Sequence, residues 1–139
     1  MPNRLLAPIV ALVLWSLIMC AWLFVTRIPA MLKRNVVYDP HQPNAEFHAQ
    51  LPAEVRWKAD NYNNLMEQPT LFYAVALTPA LLGADTRLNI GLAWAYVSLR
   101  AAHSVAQATI NVVMLQFALF MAATIVLGVM SVNAALRVF

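Results

Sequence analysis

The sequence predicts an all-α integral membrane protein, a four-helix bundle subunit organised as one domain over residues 1–139. Three observations carry this. Hydrophobic residues make up 62% of the chain and charged residues only 11%, with a mean hydropathy of +0.65, against roughly 45–50% apolar and about 25% charged in an average soluble domain. The apolar residues run in long uncharged stretches rather than the roughly ten-residue alternating segments of an outer-membrane barrel. With 3 glycines, the chain also lacks the makings of a Gly-rich phosphate loop. A bilayer core about 30 Å thick needs about 20 helical residues per crossing, so the apolar content suits roughly four spans.

Span one covers about residues 5–27. From Leu5 to Thr26 there is no Asp, Glu, Lys or Arg, Trp15 and Trp22 lie within the stretch, and Arg27 and Pro29 close it. The run exceeds the 7–15 apolar residues of a secretory signal, and Thr26 to Pro29 offers no small-residue cleavage site, so this span is expected to be retained. Residues 29–52 then hold Pro29, Pro40, Pro43 and Pro52 among Lys33, Arg34, Asp39, His41, Glu46 and His48. That composition predicts a polar connection, long for a compact bundle.

Pro52 suits a helix start. The following stretch to Met66, with Glu54, Arg56, Lys58 and Asp60 among Val55, Trp57, Tyr62 and Leu65, reads as a solvated or interfacial approach to span two, placed at 64–84. Pro69 and Pro79 are tolerable inside that span because neighbouring helices satisfy the freed carbonyls. Residues 83–87 form a short turn, and span three follows at 88–106. From Ala101 to Leu136 the chain again carries no charge; as one helix this run would extend roughly 54 Å, so the chain must reverse within it. The most polar place is Ser104 to Asn111, where Thr109 is suited to cap the next helix. Span four occupies about residues 110–132.

Four spans put the 29–52 loop and the 104–111 reversal on one side and the termini on the other. The loop side carries Arg27, Lys33, Arg34, Arg56 and Lys58 against Arg4, Arg87 and Arg137 opposite, so the positive-inside rule predicts a cytoplasmic loop and external termini. A small net charge of +3 concentrated at helix ends gives no basic surface for nucleic acid. Cys20 is the single cysteine, which excludes an intramolecular disulfide, and His41 and His48 with Asp39 and Glu46 have weak metal spacing. No metal is expected, and neither a Ser-His-Asp set nor an activated cysteine can be read.

The chemistry lies where polar residues interrupt the spans. Asp60, Asn64 and Glu67 are spaced four and three apart at the loop end of span two, and Tyr96, Arg100, His103 and Gln107 four, three and four apart at the same end of span three. Each set forms a stripe on its helix, so the two are expected to face each other at one depth, with Asn111 and Gln116 beside them. Ionisable groups at this depth cost about 2.5–3.5 kcal/mol on insertion scales. Arg100 and Glu67 therefore need partners: either each other, or a polar, anionic ligand reached from the cytoplasm.

Two motifs give these residues a familiar arrangement: Asn64-Leu65-Met66-Glu67-Gln68-Pro69 with Phe72 behind it, and Ala93-Trp94-Ala95-Tyr96 leading to Leu99-Arg100-Ala101-Ala102-His103-Ser104 and then Asn111. From about Trp57 to Phe120 the chain resembles the MAPEG superfamily, membrane-associated proteins of eicosanoid and glutathione metabolism, in its bacterial, microsomal glutathione transferase-like form. The resemblance implies a homotrimer in a bacterial inner membrane, with glutathione as ligand or co-substrate between subunits near the cytoplasmic face and a lipophilic acceptor drawn from the bilayer. It assigns glutathione binding to Asn64, Glu67, Arg100 and His103, with Gln107 and Lys58 of suitable chemistry beside them. Two positions depart from the family pattern: Asn63 stands where an arginine often precedes Asn-x-x-Glu, and Gln116 where an arginine stabilises the thiolate. A thiol titrates near 8.5 and needs help to ionise. A neutral donor, Gln116 or Tyr96, is then the catalytic candidate, and two readings stay open: a glutathione transferase-like enzyme, or a non-catalytic ligand-binding or accessory subunit of a membrane complex.

Overall fold

The computed structural model describes residues 4–139 as five helices: α1 (Leu6–Lys33), a short α2 (Asn44–Ala49), α3 (Ala53–Leu81), α4 (Arg87–Thr109) and α5 (Val113–Val138). No strand occurs among the described residues. α1 and α5 are long and apolar enough to cross a membrane. Their 28 and 26 residues correspond to about 42 and 39 Å of helix. Only 22% and 17% of their most apolar windows are buried, so large side chains such as Leu17, Ile18, Val25, Phe117, Ile125 and Val132 face outward. α3 and α4 carry more polar residues and sit further inside: α4 packs against α1, α3 and α5, and α3 against α1, α4 and α5.

The helix ends follow from local chemistry. α1, α3 and α4 are each followed by a left-handed residue, Asn35 at φ 47°, Gly83 at φ 66° and Asn111 at φ 49°. Asparagine and glycine tolerate that conformation best. Beyond Gly83 the chain closes with Ala84 N donating to Pro79 O at 2.8 Å, and beyond Asn35 with Val36 N donating to Met31 O at 3.2 Å, which satisfies carbonyls a helix end would leave open. Thr86 caps α4 by accepting the Asn89 amide at 3.2 Å.

Three local expectations are corrected. α1 continues through Pro29 to Lys33; a proline removes one amide but does not forbid the turns beyond it. Thr109 does not cap α5, because its hydroxyl donates to Val105 O at 2.6 Å within α4. The reversal occupies Ile110 to Val112, turned by Asn111, rather than opening at Ser104. The loop also contains α2, tied back by Arg27, whose Nη2 lies 3.4 Å from His48 Nδ1 and whose guanidinium lies 5.5 Å from the Phe47 ring. Gln50 adds paired bonds to the Val37 backbone at 3.3 and 3.2 Å.

Between the long helices, Leu12, Phe72, Ala76, Ala93, Tyr96 and Ala123 have no exposed surface. The three alanines let helices approach closely. Phe72 and Tyr96 stack with centroids 4.5 Å apart and planes 9° from parallel. This aromatic pair separates an apolar interior from a polar layer toward the loop end.

Candidate functional site

Arg100 is the centre of the polar layer. It is 0% exposed, and one guanidinium nitrogen, Nη2, donates both to Asn64 O at 3.0 Å and to Asn64 Oδ1 at 2.6 Å. Nε and Nη1 are buried with no hydrogen-bond partner. The guanidinium carbon lies 5.9 Å from the centre of the Phe120 ring, a cation–π contact. No carboxylate forms a direct ion pair with it among the described residues: Glu67 is exposed on the outer face of α3 and acts on Arg100 only through space.

The remaining α4 residues of the stripe face inward with Arg100. Tyr96 is 0% exposed and its hydroxyl donates to Gln68 Oε1 at 3.2 Å. Gln68 Nε2 donates in turn to Thr124 Oγ1 at 2.8 Å, and Thr124 to Phe120 O at 2.8 Å. One chain of bonds therefore links α4, α3 and α5 directly behind Arg100. His103 is 3% exposed, 6.3 Å from the Phe120 ring centroid, with Nδ1 unpartnered. Gln107 is half-buried with Oε1 unpartnered. Gln116 is half-buried and donates to Asn111 Oδ1 at 2.8 Å.

On α3 the expected stripe is rotated. Asn61, Leu65 and Phe72 are buried and Gln68 half-buried, with Asn64 at the edge; Asp60 and Glu67 lie further round and are exposed. At about 100° per residue, Asn61 and Gln68 share one side of Asn64 while Asp60 and Glu67 share the other. Lys58 stands on the side facing α1, donating to Glu54 O at 2.8 Å with its ammonium 4.9 Å from the Trp22 ring. The structure thus gathers Arg100, Tyr96 and His103 into the interior, places Asn64, Gln107 and Gln116 at its rim, and sets Lys58 half-buried against α1 and Glu67 on the outer face of α3. Gln68 and Thr124 are partners that spacing did not single out, although Gln68 lies four residues after Asn64 and faces the same way, and the buried Asn61 has an unpartnered Oδ1. No group of three His, Cys, Asp or Glu able to hold a metal occurs among the described residues.

The geometry makes Arg100 an organiser rather than a surface contact. By binding both oxygens of Asn64 it fixes the side-chain amide, so that Nδ2 is the group Asn64 has left to offer. That donor stands at the edge of the layer, one helical turn before Glu67. No curated protein and no solved structure matches the chain significantly. A family model does: residues 5–136 match the MAPEG family, and with two outward-facing apolar helices and a polar layer at one end, the chain belongs to that family of integral membrane proteins associated with glutathione and eicosanoid metabolism.

Proposed function

We propose that this protein binds glutathione at the rim of the polar layer and transfers it to lipophilic electrophiles. The observation that carries the reading is the doubly bonded Arg100–Asn64 contact, 3.0 and 2.6 Å, beside the unpaired, exposed Glu67. Glutathione has two carboxylates, one ammonium and a thiol. Glu67 meets the ammonium and Asn64 Nδ2 donates to a carboxylate, while Arg100, beneath them, orders Asn64 and supplies positive potential to a dry site. Gln107 and His103 contribute from α4, and Lys58 joins by exchanging its Glu54 contact for the second carboxylate.

All four long helices span the bilayer in this reading, with the loop in the cytoplasm, the termini outside and three copies forming a homotrimer. Outward apolar surfaces on α1 and α5 supply the area for lipid and subunit contact. The glutathione thiolate attacks an electrophilic carbon of an acceptor dissolved in the bilayer. A C–S bond forms, the leaving group departs with its electron pair, and the thiol proton passes to solvent. Holding both reactants in one cleft supplies most of the advantage, with Gln116 donating a neutral hydrogen bond to the sulfur.

Titration calorimetry tests binding: glutathione should bind at millimolar concentration or below and lose at least tenfold in affinity in Glu67→Gln. No heat at millimolar ligand, or undiminished binding in Glu67→Ala combined with Arg100→Ala, would remove the assignment. Gln116 supports a second reading, binding without catalysis, because its amide is already tied to Asn111 at 2.8 Å and carries no charge. If Gln116→Arg creates thiol transfer absent from the parent, binding without catalysis is the better description; substantial transfer in the parent favours the enzyme.

A further inference from the structure

A cleft of about 440 Å³ opens at the loop end, lined by His48 of α2, by Arg56, Trp57 and Asp60 at the start of α3, and by Asn111 of the α4–α5 turn. We propose that it is a second binding site, which takes the phosphoethanolamine head of a membrane phospholipid. Its size falls within the range of small-molecule pockets, and its charges select the ligand. Arg56 and Asp60 are one turn apart on α3, where oppositely charged side chains commonly pair. Neither side chain has a hydrogen-bond or ion-pair partner among the described residues, and both are exposed.

One unpaired cation and one unpaired carboxylate at that spacing match a ligand carrying both signs on a short linker. A purely anionic head would be set against Asp60, and a purely cationic one against Arg56. His48 adds a donor: its Nδ1 lies 3.4 Å from Arg27 Nη2, and since arginine only donates, Nδ1 accepts and Nε2 is the nitrogen that carries a proton. Phosphate is thereby offered Arg56 and the imidazole N–H, and the ammonium is offered the Asp60 carboxylate. A primary ammonium gives Asp60 hydrogen bonds that a trimethylammonium cannot, and one tryptophan is no aromatic cage.

The surroundings identify a lipid rather than a dissolved zwitterion as the source. On the helices and loop at this end of the chain, cations lie over aromatic rings, Lys58 4.9 Å from Trp22 and Arg27 5.5 Å from Phe47, and Trp57 forms part of the cleft wall. Aromatic residues with cations at one level characterise the headgroup region of a bilayer. The cleft adjoins the polar layer through Asn111, which accepts from Gln116 at 2.8 Å, but Arg56 and Asp60 are not part of that layer and the proposal does not depend on glutathione binding.

Native mass spectrometry of the full chain in detergent, titrated with phosphatidylethanolamine, phosphatidylcholine and phosphatidylglycerol of matched chains, tests it. Phosphatidylethanolamine should be retained about tenfold more tightly than either of the others, the loss expected for one charge-assisted hydrogen bond. Asp60→Asn should erase the preference over phosphatidylcholine, and Arg56→Gln should weaken retention of all three. Glutathione calorimetry on the same variants should be unchanged, which separates this site from the first. Equal retention of the three lipids, or unaltered selectivity in both variants, would overturn the proposal, and free phosphoethanolamine binding as tightly as the lipid would overturn the lipid source.

Discussion

The Arg100–Asn64 contact makes a prediction that can be worked from its geometry. Arginine keeps its charge in proteins, and this one is 0% exposed, with a single nitrogen bonded and two unpartnered. Asn64→Ala removes the 2.6 Å bond and leaves the one to the backbone carbonyl. A hydrogen bond to a charged group contributes about 1.5–3 kcal/mol, and stripping a buried charge of its partner costs about 3–5 kcal/mol. With one bond retained, the expected loss is about 2–3 kcal/mol. For a chain of this size that corresponds to a melting point lower by roughly 6–10 °C.

Arg100→Met should cost far less. It removes the charge together with its solvation demand and fills similar volume, a replacement that is often neutral or stabilising, while Asn64, half-exposed, regains water. The double variant should match Arg100→Met alone, giving a coupling of about 2–3 kcal/mol between the sites. Thermal unfolding in detergent without glutathione, followed by tryptophan fluorescence, measures all four corners. A silent Asn64→Ala, or an Arg100→Met that loses more than Asn64→Ala, would refute the reasoning, since Arg100 would then be held through its other nitrogens.

Tyr96→Phe should keep the Phe72 stack, lose the 3.2 Å bond to Gln68, and lower stability by about 1 kcal/mol without changing glutathione affinity; a hundredfold loss of transfer at unchanged affinity would instead put its hydroxyl on the thiolate. Gly83→Ala tests backbone conformation alone, because φ is +66° and an added Cβ meets nothing within 4 Å. Its cost should be about 1 kcal/mol, read as a melting point lower by roughly 3–4 °C.

Several features could be read from the sequence because they depend on composition and spacing. Uncharged stretches longer than a bilayer dictate helices such as α1 and α5, and the four-three-four spacing of Tyr96, Arg100, His103 and Gln107 puts them on one side of any helix. What spacing leaves undetermined is which side a helix turns inward. On α3, Asn64 belongs to two stripes, one with Asp60 and Glu67 and one with Asn61 and Gln68, and packing of Leu65 and Phe72 against α4 selects the second. Thr109 illustrates a different failure. Its hydroxyl can cap the next helix or bond back four residues, and continuation of α4 to Thr109 itself decides for the latter.

Glu67 carries the remaining argument. In the proposed topology Glu67 is a carboxylate facing lipid, which costs about 2.5–3.5 kcal/mol, and no described residue forms an ion pair with it, while its neighbours Met66 and Thr70 are exposed too. Arg100 acts on it only through space, being fully buried and turned toward Asn64. In the proposed function the compensating group comes from outside the subunit, as a ligand ammonium held in a cleft between copies. On this reasoning Glu67→Gln should relieve the empty assembly while weakening the loaded one: the melting point rises without glutathione, and the stabilisation by added glutathione shrinks. A variant that melts lower without ligand would place Glu67 against a cation of the neighbouring subunit instead.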